Sequence, residues 1–249
     1  MINIIAHNKV NFNNLYEDKS FDYNLYKFFL TEGRKDKLDI SGIIKKEGFD
    51  VEKEWLMGEY NPYLQSNNFH APSIFYHTHL NNTKFNDNYI GFLEYDLRLS
   101  NGFTKSVKEI LNKHKEDKFL IFPSARHKLI KLNNQSSIKM SGKKWLDFFI
   151  HDYNKRYNTE YKYKTFLEKN KNELIPTQQS FICDIKTYDE LSSYVFNFIS
   201  DYPKRTHYSP RPSTILERFI GLFLFIKSLE YKNVYKIPLV HKHSSGGRY

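Results

Sequence analysis

Short apolar runs that alternate with longer helical patterns limit the folds open to this chain more than any other feature. Ile2–Ala6, residues 90–95 and Phe119–Phe122 are apolar almost throughout, as strands covered on both faces are. The same patterns predict further strands over 38–44, 179–185 and 234–240, and helices over 21–31, 71–80, 103–115, 143–157, 188–199 and 214–229. Strands alternating with helices, beginning with a strand, predict an α/β domain of three layers.

One domain can accommodate the whole chain of 249 residues. No internal repeat, low-complexity block or linker rich in proline or glycine divides it. Hydrophobic residues make up 40% of the chain, enough for a sizeable core, and the 21 Phe and 19 Tyr predict a core rich in aromatic rings. We therefore expect a single domain over residues 1–249.

The net charge of +10 and the pI of about 9.3 favour anionic partners, such as nucleic acid, phosphorylated small molecules or an acidic membrane face. The lysines are scattered, so a lysine-rich surface that contacts only solvent explains the charge equally well. The single cysteine, Cys183, excludes an intramolecular disulfide and lies in an apolar run that predicts a core position.

Targeting and membrane-spanning segments are not predicted. The apolar run at the N-terminus is too short for the core of a signal peptide. The longest apolar run, over 219–226, is far shorter than the ~20 residues that span a bilayer. We expect a soluble, cytoplasmic protein without a transmembrane segment, while peripheral contact with a membrane stays open.

Two carboxylates follow an apolar run in YIGFLEYDLRL, residues 89–99. Glu94 and Asp96 lie two residues apart, so on a strand their side chains point to the same side. They repel each other unless a cation lies between them, and the candidates are a divalent metal ion, Arg98 or solvent. Ligands of α/β sheets bind at the carboxyl ends of strands, where this pair is expected. By itself, however, the pair fits an exposed strand end paired with Arg98 better.

Two histidine pairs with the same spacing are candidate metal ligands. On a strand His77 and His79 would share a face, but a proline before them and two asparagines after them favour a helix, on which they lie ~200° apart. One semi-buried and one exposed histidine is therefore the favoured interpretation. His241 and His243 follow the last apolar run, and they are either late ligands to a metal held by Asp96 or part of a mobile basic tail.

A further carboxylate, Glu217, lies in RPSTILERF, residues 211–219. Near the beginning of a helix the dipole keeps it ionised, and an ionised, positioned Glu can act as a general base. Thr214 and Glu217 also match a capping box, which explains the residue without any chemistry. Arg211 and Arg218 flank it and could bind a phosphate bidentately. No GxGxxG, P-loop or GxSxG motif is present.

Four segments stand out together: NIIAHNK, GEYNPYL, IFYHTHLNN followed by YIGFLEYDL, and PTQQSFICDIKTYDELSSYVFNFI followed by RPSTILERFIGLFL. In this order they resemble a family of capsular-polysaccharide-type glycosyltransferases and related enzymes of large DNA viruses. No single motif is specific, and the resemblance rests on order and spacing from residue 2 to about residue 241. It implies a GT-A fold with a mixed, mostly parallel sheet, in which residues 1–125 bind a nucleotide sugar and residues 126–249 face the acceptor.

This resemblance implies transfer of a sugar from a nucleotide-diphosphate sugar, with UDP expected, to a hydroxyl of a glycan or glycoprotein. Bacterial members often have HYRR where this chain has residues 94–98, so the acidic motif here is closer to the DxD of metal-dependent members. Mn²⁺ or Mg²⁺ is then expected on Asp96, Glu94 and His241. The remaining implied roles are donor binding by His7, Asn8, Lys9, Glu94, Tyr95 and Arg98, phosphate or acceptor binding by Arg211 and Arg218, and proton removal by Glu217, with Asp184 as the second candidate.

Two other classes of function remain open from the residues alone. A basic nucleic-acid-binding protein without catalysis would explain the net charge and the abundant aromatics. A metal-dependent hydrolase would use His77 and His79. The resemblance implies instead a polysaccharide-building enzyme with no nucleic-acid partner, in the cytoplasm of the host if the enzyme is viral.

Overall fold

The computed structural model describes residues 1–6, 10–31, 41–66, 69–85, 87–115, 117–122, 125–134, 139–140, 143–176, 179–202, 212–237 and 239–241. The strands are β1 Ile2–Ala6, β2 Tyr26–Leu30, β3 Asp50–Lys53, β4 Tyr89–Glu94, β5 Leu97–Leu99, β6 Phe119–Phe122, β7 Ala125–Lys128, β8 Lys139–Met140, β9 Lys143–Lys144, β10 Leu174–Pro176, β11 Phe181–Asp184, β12 Asn233–Lys236 and β13 Leu239–His241. The helices are α1 Asn13–Tyr16, α2 Ser41–Lys46, α3 Tyr63–Ser66, α4 Ser73–Leu80, α5 Phe103–Lys113, α6 Leu129–Asn133, α7 Trp145–Tyr157, α8 Tyr163–Asn170, α9 Ile185–Asp201 and α10 Pro212–Glu230, with short 3₁₀ turns over Tyr23–Leu25 and Glu54–Leu56.

Seven strands form the central sheet, in the order β12-β6-β11-β4-β1-β2-β3. The strand β11 is antiparallel to both of its neighbours, β4 and β6, and the other strands run in one direction. The two-stranded sheets β7/β10, β5/β13 and β8/β9 lie apart from it. The prediction of a mixed, mostly parallel sheet is confirmed.

Apolar side chains cover both faces of this sheet and form two cores. Alternate residues of the same strand enter different cores: Phe92 lies in one and Leu93 in the other. The long helices α7, α9 and α10 contribute to the first core, whereas α5 contributes to the second. Helices therefore lie on both faces, as the three-layer prediction requires. No helix in the part of the chain that the structure describes has the length and apolar character needed to cross a membrane.

Three predicted elements differ from the structure. Residues 21–31 are a 3₁₀ turn followed by β2, because this segment pairs with both β1 and β3 and its rings enter both cores, so its spacing only resembles that of a helix. The strand predicted over 38–44 is partly α2, and its residues before Ser41 lie outside the described part. The strand predicted over 234–240 divides into β12 and β13, which join different sheets.

Cys183 occupies the core position that its apolar run predicts. Its side chain is fully buried in β11, and burial raises the pKa of the thiol well above its usual value. A thiol held neutral in this way is a poor nucleophile. We expect Cys183→Ala to keep its enzymatic activity and to lose about 1 kcal/mol of stability, measured by denaturant unfolding, through a small cavity. Loss of activity at an unchanged melting temperature would show instead that the thiol takes part in the chemistry.

Candidate active site at the carboxyl edge of the sheet

The parallel strands end together and form one edge of the central sheet, here called the carboxyl edge. Glu94 at the end of β4 pairs with Ile5 of β1, and the next residue of β1 pairs with Leu30 at the end of β2. The antiparallel strand β11 begins at this same edge, because Phe181 pairs with Phe92. Ligands of α/β sheets bind beyond such an edge, so the side chains there are the first candidates for a site.

Three predicted site residues lie close enough at the carboxyl edge for their charges to interact: Glu94, Asp96 and Glu217, which together form the acidic centre. Glu94 is buried, and burial together with the charges of Asp96 and Glu217 raises the pKa of its carboxyl group well above the usual value. Asp96 is buried in the turn between β4 and β5 rather than on the strand itself. Carboxylates gathered in this way accumulate negative charge that a bound cation would offset.

The helix α10 carries Glu217 into this centre. It begins at Pro212, so Thr214 lies inside the helix and cannot be its N-cap residue. The capping-box interpretation of Glu217 is therefore wrong. Proline is favoured in the first helical turn, which explains why the helix begins before the threonine. Glu217 lies in the second turn and is half-buried.

The short strand β13 brings His241 back to the acidic centre. It pairs antiparallel with β5, and the backbone of His241 lies opposite Leu97, the residue after Asp96. No local pattern in the sequence predicts that β13 pairs with β5. The structure describes the backbone of His241 but not its side chain.

Carboxylate oxygens are the ligands that Mg²⁺ and Mn²⁺ prefer, and the acidic centre fits such an ion in both chemistry and charge. Asp96 and Glu94 are the side chains available for it. Among the described side chains, no group of three or more His, Cys, Asp or Glu is arranged to hold a metal ion. Any further ligands would therefore come from a bound substrate, from water or from His241.

Arg98 and Tyr95, which the resemblance assigns to the donor, are engaged in other contacts. Nε of Arg98 donates a hydrogen bond to the carboxylate of Glu17, so this part of the guanidinium is already engaged within the protein. The ring of Tyr95 is buried in the core that contains Leu93, and its backbone N–H donates to the carbonyl oxygen of Ile5 at 3.0 Å. The other predicted donor residues, His7, Asn8 and Lys9, lie outside the described residues, as does Arg211.

Arg218 lies beside the acidic centre on α10. Its guanidinium carbon is 5.7 Å from the centre of the Trp145 ring, and Nη1 donates to the carbonyl oxygen of Thr214 at 3.4 Å. Burial lowers the pKa of this guanidinium, and the charge of Glu217 opposes that shift. The structure therefore holds a buried cation next to the proposed base.

Asp184 lies at the opposite edge of the sheet. It pairs with Tyr89, the first residue of β4, because β11 runs antiparallel to that strand. Its carboxylate caps α9: Oδ1 accepts from the backbone N–H of Thr187 at 3.0 Å, and Oδ2 accepts from the hydroxyl of Thr187 at 2.7 Å. This position and these bonds argue against the catalytic role expected for Asp184.

His77 and His79 lie on α4, as the helix prediction requires, and they do not face one metal. His77 is fully buried, which is more than expected, whereas His79 is exposed. Nε2 of His77 accepts from the backbone N–H of Asn61 at 3.0 Å, so Nδ1 carries the proton and donates to Glu54 at 2.6 Å. The carboxylate of Glu54 also accepts from Ser73 and from Gln65, which satisfies it without a cation. This network ties α4 to the segment after β3, and nothing in it supports a hydrolase.

Two buried polar residues at the carboxyl edge belong to no recognisable sequence motif, so the sequence does not identify them as site residues. Thr31 follows β2, and its backbone N–H donates to the carbonyl oxygen of Ala6 at 3.0 Å. Gln179 precedes β11. Among the described residues, neither Oγ1 of Thr31 nor Oε1 of Gln179 has a hydrogen-bond partner, although both residues are buried. Such oxygens are rare in folded proteins, and each needs an explanation.

A cavity of about 340 Å³ lies at the opposite edge of the sheet, lined by residues that include Asn88, Tyr89, Lys108 and His114. Lys108 is paired there with Asp22, and His114 with Tyr235 and Asp117. The cavity is remote from the acidic centre and contains none of the predicted site residues.

No protein-family model and no curated protein sequence matches this chain. Among solved structures, the bifunctional glycosyltransferase WbbM aligns with a TM-score of 0.62 and 10% identity over 96% of this chain and 45% of its own. TarS of S. aureus (residues 1–349) aligns at 0.45, with 10% identity over 95% and 57% of the two chains. Glucosyl-3-phosphoglycerate synthase of Mycobacterium tuberculosis, in complex with Mg²⁺ and UDP, aligns at 0.44, with 10% identity over 98% and 71%.

The likeness to WbbM shows the fold: the chain has the fold of a GT-A-type glycosyltransferase, as the resemblance of the four segments implies. This chain spans less than half the length of WbbM. At 10% identity the likeness does not extend to substrates.

Proposed function

We propose that the chain transfers a sugar from a nucleotide-diphosphate sugar, with UDP as the nucleotide, to a hydroxyl of a glycan acceptor. The observation that carries this proposal is the acidic centre, which combines Glu94, Asp96 and Glu217 at the carboxyl edge of a GT-A sheet. Fold alone does not define an activity, but this cluster lies where α/β sheets bind their ligands.

The donor lies over the half of the chain formed by residues 1–125. His7, Asn8 and Lys9, which follow β1 in the sequence, are assigned to nucleotide binding, since β1 ends beside Glu94. The hydroxyl oxygen of Thr31, which has no partner among the described residues, lies beside the end of β1 and adds a hydrogen-bonding group to the nucleotide pocket.

Asp96, Glu94 and His241 would hold Mn²⁺ or Mg²⁺ in this site. When bound, such an ion neutralises the charge of the donor diphosphate and stabilises the leaving nucleotide. The chain's own contribution is to gather the carboxylates and exclude water from them, and the burial of Glu94 and Asp96 supports this role.

On the acceptor side, formed by residues 126–249, Glu217 takes the proton of the acceptor hydroxyl as that oxygen attacks the anomeric carbon of the donor. The bond between the anomeric carbon and the diphosphate oxygen breaks, and the nucleotide diphosphate leaves with the electron pair. A single displacement of this kind inverts the anomeric configuration. Arg218 and Arg211 bind phosphate or the acceptor beside this base.

Replacement of the proposed base is expected to remove turnover and little else. Glu217→Gln should lower kcat on the order of 10²-fold or more, because the amide cannot accept the proton. The melting temperature should stay close to that of the wild type, since Glu217 lies in the second turn of α10 and glutamine has nearly the same size and helix propensity. Donor affinity should barely change, because the base faces the acceptor hydroxyl. The matched control is Glu230→Gln, an exposed glutamate at the other end of α10. Turnover of Glu217→Gln close to that of the wild type would exclude the base role.

Thermal denaturation separates the proposed function from the other two classes. We expect UDP together with Mn²⁺ to raise the melting temperature, with a stabilisation of about 2.7 kcal/mol when UDP is present at about 100 times its dissociation constant. Single-stranded oligonucleotide and Zn²⁺ alone should have no such effect. A rise with oligonucleotide but not with UDP and Mn²⁺ would favour a nucleic-acid-binding protein, and a rise with Zn²⁺ alone would favour a hydrolase.

A further inference from the structure

Gln179 lies beside the acidic centre on the side away from the nucleotide strands. Gln179 lies two residues before Phe181, the residue of β11 that pairs with Phe92, and so at the end of β11 nearest Glu94. The contact is direct at the next residue, because the backbone N–H of Glu94 donates to Oγ of Ser180 at 3.2 Å. In the sheet, β11 and the nucleotide strands β1 and β2 lie on opposite sides of β4.

The backbone of Gln179 adopts a conformation that glutamine disfavours. Its φ is +49°, in the left-handed region. Asn82 and Asn158 share this region, but asparagine tolerates it and glutamine has no such preference. A glycine at this position would relieve the strain, so the local backbone alone gives no reason for the glutamine.

The side chain of Gln179 is held in the protein without a full set of partners. The residue is 6% exposed, and its Oε1 accepts no hydrogen bond among the described residues. Burying an amide oxygen without a donor destabilises the folded state. A residue that is both strained and unsatisfied is best explained by a ligand that supplies the missing donor.

We propose that Gln179 determines donor-sugar specificity, with its amide oxygen accepting a hydrogen bond from a hydroxyl of the donor sugar. This inference rests on the proposed function. The sugar is attached directly to the diphosphate, which lies at Asp96 and Glu94, so a residue adjacent to the Ser180–Glu94 hydrogen bond is within reach of the sugar ring. The nucleotide itself lies over β1 and β2, on the other side of β4. Sugar hydroxyls are donors of the kind that an amide oxygen requires.

The test compares the preferred UDP-sugar of the wild type with its monodeoxy analogues, using kcat/KM for nucleotide release. In the wild type, removal of one particular hydroxyl should cost on the order of 10- to 100-fold, since it leaves the buried amide oxygen unpaired. Gln179→Ala should lose about the same factor in kcat/KM on the parent sugar. Removal of that one hydroxyl from the sugar should then cause no further loss in this variant. Its affinity for UDP alone should equal that of the wild type. Asn158→Ala, at an exposed left-handed residue that ends α7, is the matched control and should keep the full discrimination.

Gln179→Gly distinguishes specificity from a purely structural role. Because glycine tolerates the left-handed backbone, this variant should melt at or above the wild-type temperature and still lose the discrimination. The proposal is overturned if both variants keep every wild-type ratio between parent and analogue, or if discrimination falls only together with the melting temperature. If the wild type releases UDP from no nucleotide sugar, the proposed function fails first, and the assignment of Gln179 fails with it.

Discussion

Asp96→Ala is expected to abolish sugar transfer and metal-dependent donor binding while leaving the fold intact. Asp96 lies in the turn directly after β4, and it contributes to the negative charge that raises the pKa of Glu94. Without this metal ligand, the transition state loses several kcal/mol of charge stabilisation at the leaving diphosphate, which lowers the rate on the order of 10³-fold. Removal of one carboxylate from a repelling cluster also lowers the cost of burying the others, so the melting temperature should not fall by more than a few degrees.

The measurement is UDP binding by calorimetry with and without Mn²⁺, together with initial rates of nucleotide release. Glu168→Ala, at an exposed carboxylate on α8, controls for the loss of one negative charge. An Asp96→Ala protein that binds UDP with unchanged dependence on Mn²⁺ would show that Asp96 is not a metal ligand.

Gly221→Ala is expected to destabilise the fold strongly. A Cβ atom at this position would lie 1.9 Å from the carbonyl oxygen of Pro176 and 3.3 Å from Cγ2 of Ile175. The first of these is a backbone atom of β10, so neither a rotamer change nor a small side-chain shift relieves the overlap. The helix or the strand must move, and we expect a loss on the order of 3 kcal/mol, which lowers the melting temperature by roughly 10 °C.

The same substitution should impair activity. Glu217 lies one turn before Gly221 on α10, and β10 leads towards Gln179, so movement at this contact displaces both. Gly42→Ala on α2 is the matched control: a Cβ there meets nothing within 4 Å, and alanine should be neutral or stabilising by up to about 1 kcal/mol. A Gly221→Ala protein that melts at the wild-type temperature would contradict the close packing of α10 on β10.

The sequence predicts best those elements whose local pattern matches their environment. Phe119–Phe122 is apolar throughout and buried on both faces, and it is a strand with the predicted bounds. The segment containing β2 is also rich in apolar rings, but the rings are spaced as a helix would space them, and only pairing with β1 and β3 decides its conformation. The apolar pattern of residues 41–44 likewise predicts a strand, but these residues belong to the helix α2.

The site residues also differ in whether a local sequence pattern reveals them. Glu94 and Asp96 are visible in the sequence because two acids follow an apolar strand. Asp184 also follows an apolar strand, but β11 runs antiparallel, and the direction of a strand within its sheet cannot be read from a local pattern. Gln179 gives no signal at all, because its strain and its unpaired oxygen exist only in the folded chain.

Glu217 shows how a correct motif can lead to a wrong interpretation. The residues of a capping box are present, but the helix begins earlier, at Pro212, and the charge of the carboxylate instead acts on Glu94. His241 illustrates the reverse case, in which a residue near the C-terminus returns to the acidic motif through the pairing of β13 with β5.

The most direct test of the proposed transfer is nucleotide release from a panel of nucleotide-diphosphate sugars by the wild-type protein in the presence of Mn²⁺. We expect release of UDP from at least one UDP-sugar. This activity should be abolished by EDTA, restored by added Mn²⁺, and absent from the folded Asp96→Ala variant. A folded wild-type protein that neither binds UDP with Mn²⁺ nor releases a nucleotide from any donor of the panel would contradict the proposed transfer.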